Sequence, residues 1–205
     1  MNNHKNDLLK IIAIISMTLD HIGWLFFPDI IIFRVAGRLA FPIFAYQIAL
    51  GYEKTKNVYQ YMLRLFIFGL ISQIPYSLLT EGLNIFFTLL IGLVMIYLKD
   101  KTNIFIGLLP LVFDYFFELE YGIYGLLMIY CFSIFKDNKA NAILSIISLT
   151  LVFSSLYYHN LVQALAIFAL PMIFYEFKTR ITLNKYVFYL YYPLHLLLLK
   201  YILSA

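Results

Sequence analysis

Apolar residues run through this chain in stretches of about twenty, parted by only a few polar positions. That pattern selects the solvent before it selects a fold. The strongest stretches are 8–28, 30–52, 59–79 and 83–99, with weaker ones at 104–118, 121–135, 141–158, 160–175 and 184–204. A helical span needs roughly 20 such residues, so the pattern predicts about nine helices, three of them short enough to be re-entrant or steeply packed. A transmembrane barrel would alternate over segments of about 10 residues and does not fit. With 63% hydrophobic and 13% charged residues, a soluble fold of 205 residues could not cover its apolar surface. The expected class is therefore all-α, a polytopic membrane bundle forming one domain over 1–205.

The first stretch begins with His4, Lys5 and Lys10, as a signal peptide would. No small-residue cleavage site follows, and Asp20 and His21 lie inside it, so it reads as a retained helix. Loop charges then orient the chain. Lys5 and Lys10, Lys54 and Lys56, Lys99 and Lys101, Lys136 and Lys139, and Lys178, Arg180 and Lys185 fall on one side. The loops around Asp29, Glu81, Glu118 to Glu120 and His159 hold no Lys or Arg. Basic loops face the cytoplasm, which puts the amino terminus inside and the carboxyl terminus outside. The pI is near 9.0, but the basic residues are dispersed along these loops, so no nucleic-acid partner is expected. Cys131 is the single cysteine, so no intrachain disulfide or cysteine metal site is expected.

Ionised groups at mid-bilayer cost at least ~2.5–3.5 kcal/mol on insertion scales and are functional candidates by default. Asp20 and His21 sit about two-thirds of the way along the first span. Arg34 and Arg38 open the second and, four residues apart, share a helical face. Gln73 and Pro75, Asn84 and Thr88, Asp114 and His195 occupy similar depths, which suggests one polar cavity in the outer half of the bundle. Pro42 and Pro193 would free the carbonyls of Arg38 and Tyr189 beside it. The chain has no Walker loop, no H-E-x-x-H and no G-x-S-x-G, which argues against an ATPase, a zincin or an α/β-hydrolase.

Seven blocks resemble the TraX family of membrane acetyltransferases: K-I-I-A-I-I-S-M-T-L-D-H-I-G (10–23), R-V-A-G-R-L-A-F-P-I-F-A (34–45), G-Y-E-K-T-K-N-V-Y-Q-Y-M-L-R-L (51–65), S-Q-I-P-Y (72–76), L-N-I-F-F-T-L-L-I-G (83–92), Y-G-I-Y-G (121–125) and F-Y-L-Y-Y-P-L-H-L (188–196). Between about 100 and 180 the likeness rests on Y-G-I-Y-G alone. The family is named for a pilin N-acetylase and is similar to the wider acyltransferase-3 group of transmembrane acyltransferases. The resemblance implies acetyl-CoA or another acyl-CoA as donor, with no metal. It also implies an acceptor peptide, pilin or glycan at the outer side of a bacterial cytoplasmic membrane. In that wider group a histidine near the first helix is catalytic, a place that corresponds here to His21.

Acyl transfer from a thioester needs a base for the nucleophile and a positive group for the developing oxyanion. His21 suits the base. Neighbouring side chains on a helix diverge by about 100°, so Asp20 is expected to pair with Arg38 or Arg34 rather than with His21. One arginine would polarise the thioester or bind donor phosphate, and His195 would be a second base or the orienting partner of His21. Gln73, Asn84 and Arg64 complete the expected donor-binding set. The rival reading is a small proton-coupled transporter with Asp20, His21 and His195 as a relay. A third is a non-catalytic protein of an export or pilus machine.

Overall fold

A peptide group in hydrocarbon has no water to bond, so a chain this apolar must satisfy its backbone within helices. The computed structural model describes residues 3–157, 159, 161–177, 179–184 and 186–204. It is 80% helix. The elements are α1 (Asn3–Phe26), α2 (Ile31–Gly37), α3 (Ala40–Lys54), α4 (Val58–Ser77), α5 (Ile85–Lys101), a 3-10 turn Ile106–Leu111 running into α6 (Val112–Phe117), α7 (Gly122–Ile134), α8 (Lys139–Leu156), a second 3-10 segment Leu161–Phe168 running into α9 (Ala169–Phe174), and α10 (Tyr186–Ser204). Among the described residues the only extended pairing is an isolated parallel bridge between Leu83 and Leu119.

Among the described residues all nine apolar stretches are thus helical, and four helical runs are long and apolar enough to cross a membrane: Lys5–Phe26, Ile31–Lys54, Lys139–Leu156 and Tyr186–Ser204. Ile106–Phe117, Gly122–Ile134 and Leu161–Phe174 are shorter. At 1.5–2 Å per residue they fall below the roughly 30 Å of a hydrocarbon core.

Asparagines set many of the helix starts. Asn57 accepts from the Gln60 amide at 3.0 Å, Asn84 from Phe86 at 3.0 Å, Asn138 from Asn141 at 3.0 Å and Asn184 from Tyr186 at 3.0 Å. Asn103 does the same for the first 3-10 turn, accepting from Phe105 and Ile106. Each supplies an acceptor to amides that have no partner within the helix.

The second stretch is not one uninterrupted helix. It turns at Arg38 and Leu39 before resuming at Ala40. The expected role of Pro42 changes accordingly. It sits third in α3, inside the first turn, where a missing N–H breaks no intrahelical bond. Pro193, by contrast, lies within α10 as expected.

The chain forms two compact units, one built from residues up to Phe44 with Ile143 onward, the other from Ala45–Ala142. In the first, α2 packs antiparallel on α1, with Ser16 against Ala36 and Gly37 and Gly23 against Phe33. Helix α10 packs along α1 in the same direction, since Thr18 meets Tyr191 and His21 meets His195. In the second unit, α5 is the axis. It runs antiparallel to α4, with Asn84 at Gly69 and Tyr97 at Tyr59, and parallel to α7, with Thr88 at Glu120 and Lys99 at Ser133. Met95, Leu119, Leu126 and Tyr130 make a buried cluster between them.

A basic and an acidic end result in this second unit. Lys56, Lys99, Lys101 and Lys136 gather at one end. At the other, Gly82 (φ 81°) lies against the carbonyl of Glu118, so a side chain there would be both strained and obstructed. Asp114 fixes the same corner by accepting from the amides of Leu119 at 3.1 Å and Ile123 at 3.0 Å.

Candidate active site

The expected residues of the first unit do converge. Asp20 Oδ1 lies 2.7 Å from Arg38 Nη2 and 3.1 Å from Arg34 Nη1. The approach depends on Gly37, because a Cβ at that position would land on the Asp20 carboxylate. Ser16 supports it from α1, its hydroxyl donating to the carbonyls of Ala36 at 2.6 Å and Gly37 at 3.1 Å, which stand where α2 ends.

The two arginines are not equivalent. The Arg38 side chain is 12% exposed, and its guanidinium is bonded three ways: Nη2 to Asp20, Nη1 to Gln163 Oε1 at 2.8 Å, and Nε to the Arg34 carbonyl at 3.3 Å. Arg34 is 35% exposed, and among the described residues its guanidinium leans on Asp20, through the carboxylate and, at 3.5 Å, the carbonyl. Arg38 is held as scaffold, whereas Arg34 can reach a ligand.

His21 and Asp20 face different partners, as expected for adjacent helical positions. His21 Nδ1 lies 2.7 Å from His195 Nε2, with the two rings parallel to within 4°. His195 Nδ1 lies 3.0 Å from the carbonyl of Tyr191. A carbonyl only accepts, so Nδ1 of His195 carries the proton. In the neutral ring its Nε2 is then a bare acceptor, and the proton between the histidines belongs to His21 Nδ1. The remaining nitrogen of His21, Nε2, is therefore unprotonated. Tyr191 stacks on His195 with centroids 5.1 Å apart, and its hydroxyl meets that of Thr18 at 2.7 Å. Because Thr18 donates to the Ile14 carbonyl at 2.8 Å, it accepts from Tyr191. The pair thus sits in a fixed frame: His195 is 6% exposed, and His21 is half-buried.

Gln163 was not among the expected residues. It is 6% exposed in Leu161–Phe168, and its only sequence signal is a lone amide within L-V-Q-A-L-A-I-F.

Gln73 and Asn84, expected to bind donor, are occupied within the second unit. Gln73 Oε1 accepts from the Asn84 side chain at 2.7 Å and backbone at 3.1 Å, and Nε2 donates to Gly82 O at 2.8 Å and Ser77 Oγ at 3.0 Å. Asn84 Nδ2 also donates to Gly69 O at 2.8 Å. Both amides have spent their hydrogens, so the pair is a latch between α4 and α5. Thr88 donates to the carbonyl of Glu120, and Asp114 holds its loop. Arg64 lies over the Tyr61 ring at 5.4 Å, with a buried Nε that has no hydrogen-bond partner among the described residues. His159 is exposed in a loop. Lys178 and Lys185 lie outside the described residues. No group of three or more His, Cys, Asp or Glu able to hold a metal occurs among the described residues.

Comparison with known proteins adds two relatives and a family. The family model described as TraX protein matches residues 5–203. A probable fimbrial assembly protein, FimC of serogroup H1, from Dichelobacter nodosus is 29% identical over 226 residues, 93% of this chain and 92% of that protein. An uncharacterized protein, RP591, from Rickettsia prowazekii (strain Madrid E) is 37% identical over 95 residues; the match takes in 44% of this chain and only 36% of that protein. No solved structure matches the chain significantly.

Proposed function

The chain belongs to the TraX family, and from that premise we propose that it is an integral membrane acyltransferase with His21 as its base. It takes an acetyl or other acyl group from cytoplasmic acyl-CoA to an acceptor at the outer side of the bacterial cytoplasmic membrane. The observation that carries this reading is the 2.7 Å contact of His21 Nδ1 with His195 Nε2, which leaves Nε2 of a neutral His21 bare. The hydrogen bond to His195, itself fixed by the Tyr191 carbonyl, holds it in the tautomer that accepts a proton.

The acceptor's amine or hydroxyl gives a proton to Nε2 as it attacks the thioester carbonyl carbon. Arg34, exposed enough to reach the carbonyl oxygen, stabilises the negative charge that develops on that oxygen. The C–S bond then breaks, the acyl group stays on the acceptor, and the imidazolium returns its proton to the departing thiolate. Asp20 and Arg38 hold Arg34 in place. The fimbrial assembly relative favours the amino-terminal amine of a pilin-like or exported peptide as acceptor.

The reading includes nine spans with the amino terminus inside, as the apolar stretches and the basic loops suggest. Two directions favour an alternating path. Helices α1 and α10 run parallel, as first and ninth spans must. Helices α5 and α7 run parallel with Ile106–Phe117 between them.

Single-turnover transfer from radiolabelled acetyl-CoA tests the proposal. His21→Ala is expected to lose about 10²–10⁴-fold in rate while keeping its thermal unfolding and acyl-CoA binding. Transfer at the wild-type rate by that variant would remove His21 as the base, and proton uptake without transfer would favour a transporter.

A further inference from the structure

A second site lies at the basic end of the second unit. The ends of α3, α5 and α7 and the start of α4 surround a pocket of about 470 Å³, within the range of small-molecule sites. Its buried floor includes Ala49 and Ser133, and its lip is exposed.

Four lysines face it against two carboxylates, Glu53 and Asp100. Lys56 and Lys101 have no ion-pair partner among the described residues, and Lys136 reaches Glu53 only at 3.7 Å. Lys99 is different: its side chain is drawn in to 16% exposure and fixed by Ser133 Oγ at 2.8 Å, the Ser133 carbonyl at 3.3 Å and Asp100 at 3.2 Å. A lysine that only orients the chain needs to be in the correct loop, not anchored in the wall of a cavity. Here one cation is built in and three more stand at the rim with ammonium protons to give. Such convergence of cations in a concave site raises the local concentration of anions. Two tyrosines line the same cavity. Tyr97, its hydroxyl 2.5 Å from that of Tyr59, offers a ring face already approached by Lys101 at 6.0 Å, and Tyr52 stands on α3. Aromatic faces beside lysines suit a planar base attached to phosphates.

We propose that this pocket binds a soluble nucleotide-type ligand, its phosphates on Lys56, Lys101 and Lys136 and its base against Tyr52 and Tyr97. The pocket shares no residue with the His21 site, and the proposal does not rest on acyl transfer. The same phosphate chemistry is offered by an anionic lipid headgroup, and the experiment separates the two sources.

Full-length protein in nanodiscs of phosphatidylcholine is titrated calorimetrically with ADP and with inorganic pyrophosphate, and again in discs containing phosphatidylglycerol. ADP is expected to bind in neutral discs, more tightly than pyrophosphate, and more weakly as salt rises. The double variant Lys56→Gln/Lys101→Gln should weaken ADP binding on the order of tenfold or more. Lys139→Gln, which removes one positive charge at an exposed position outside the pocket, should leave it unchanged, with thermal unfolding recorded for each. Equal affinity for ADP and pyrophosphate would overturn the assignment to a base-bearing ligand. No ADP binding in neutral discs, with phosphatidylglycerol retained by wild type and lost by the double variant, would make this a lipid site and overturn the proposal. Loss of acyl transfer with ADP binding intact would fall on His21 and leave this pocket standing.

Discussion

Removing the charge of Asp20 should damage this protein more than removing either arginine. Its Oδ1 is shared by two guanidinium groups, at 2.7 Å from Arg38 and 3.1 Å from Arg34. In Asp20→Asn the Arg38 cation, 12% exposed, loses its carboxylate counter-charge and faces neutral acceptors such as the Gln163 amide and the Arg34 carbonyl. Breaking a buried pair from one side costs about 3–5 kcal/mol, because the remaining charge is stranded. Arg34→Leu leaves Asp20 paired with Arg38, and Arg34 is 35% exposed, so its loss should cost no more than ~1 kcal/mol. Arg38→Leu leaves Asp20 paired with Arg34 but orphans the buried Gln163 oxygen, at about 1–3 kcal/mol. The double variant Asp20→Leu/Arg38→Leu should recover most of what Asp20→Asn loses, since no buried charge remains. Reversible unfolding in mixed micelles, titrated with SDS, ranks these variants. Wild-type stability in Asp20→Asn, or a larger loss in Arg34→Leu than in Asp20→Asn, would refute the burial argument.

If His195 acts by holding the tautomer of His21, His195→Ala should reduce single-turnover transfer by less than the roughly 10²–10⁴-fold expected for loss of the base. His195→Gln, whose amide oxygen can accept from His21 Nδ1, should restore part of that rate. Asn84→Ala should lower stability by about 1 kcal/mol for the lost cap and about 1–3 kcal/mol for the orphaned latch, without changing donor affinity in a binding assay. Reporters fused after Lys139 and after His159 should report opposite sides of the membrane; the same side for both would rule out the alternating topology.

The pairings read correctly from sequence were those for which lipid leaves few choices. An aspartate in an apolar helix needs a cation, and Arg34 and Arg38, one turn apart on the next helix, could both supply it. The separation of Asp20 from His21 followed from helical geometry in the same way. Position along the chain was a weaker guide. Gln73 and Asn84 drew notice as amides in apolar helices, and their mutual bonding was not legible: the turn after α4 folds them onto each other and onto Gly69 and Gly82. Gln163 carries no charge and has no patterned neighbour, so its bond to Arg38 across 125 positions left no trace in local sequence. Pro42 misled because proline is read as a breaker, while the break precedes it at Arg38 and Leu39. Asparagine, the residue that opens α4, α5 and α10, was the better boundary marker.

The two halves of the proposed centre lie at very different chain distances, and this orders its assembly during synthesis. Asp20 meets Arg34 and Arg38 within 18 positions, so the costly charge is neutralised as soon as two neighbouring helices have left the ribosome. His21 meets His195 only across 174 positions. An uncharged imidazole tolerates that wait far better than a carboxylate would. Until α10 docks beside α1, His21 has no neighbour to set its tautomer, so a half-inserted chain carries its charge cluster but not its oriented base. Catalytic competence would then arrive last, as a property of the fully assembled chain.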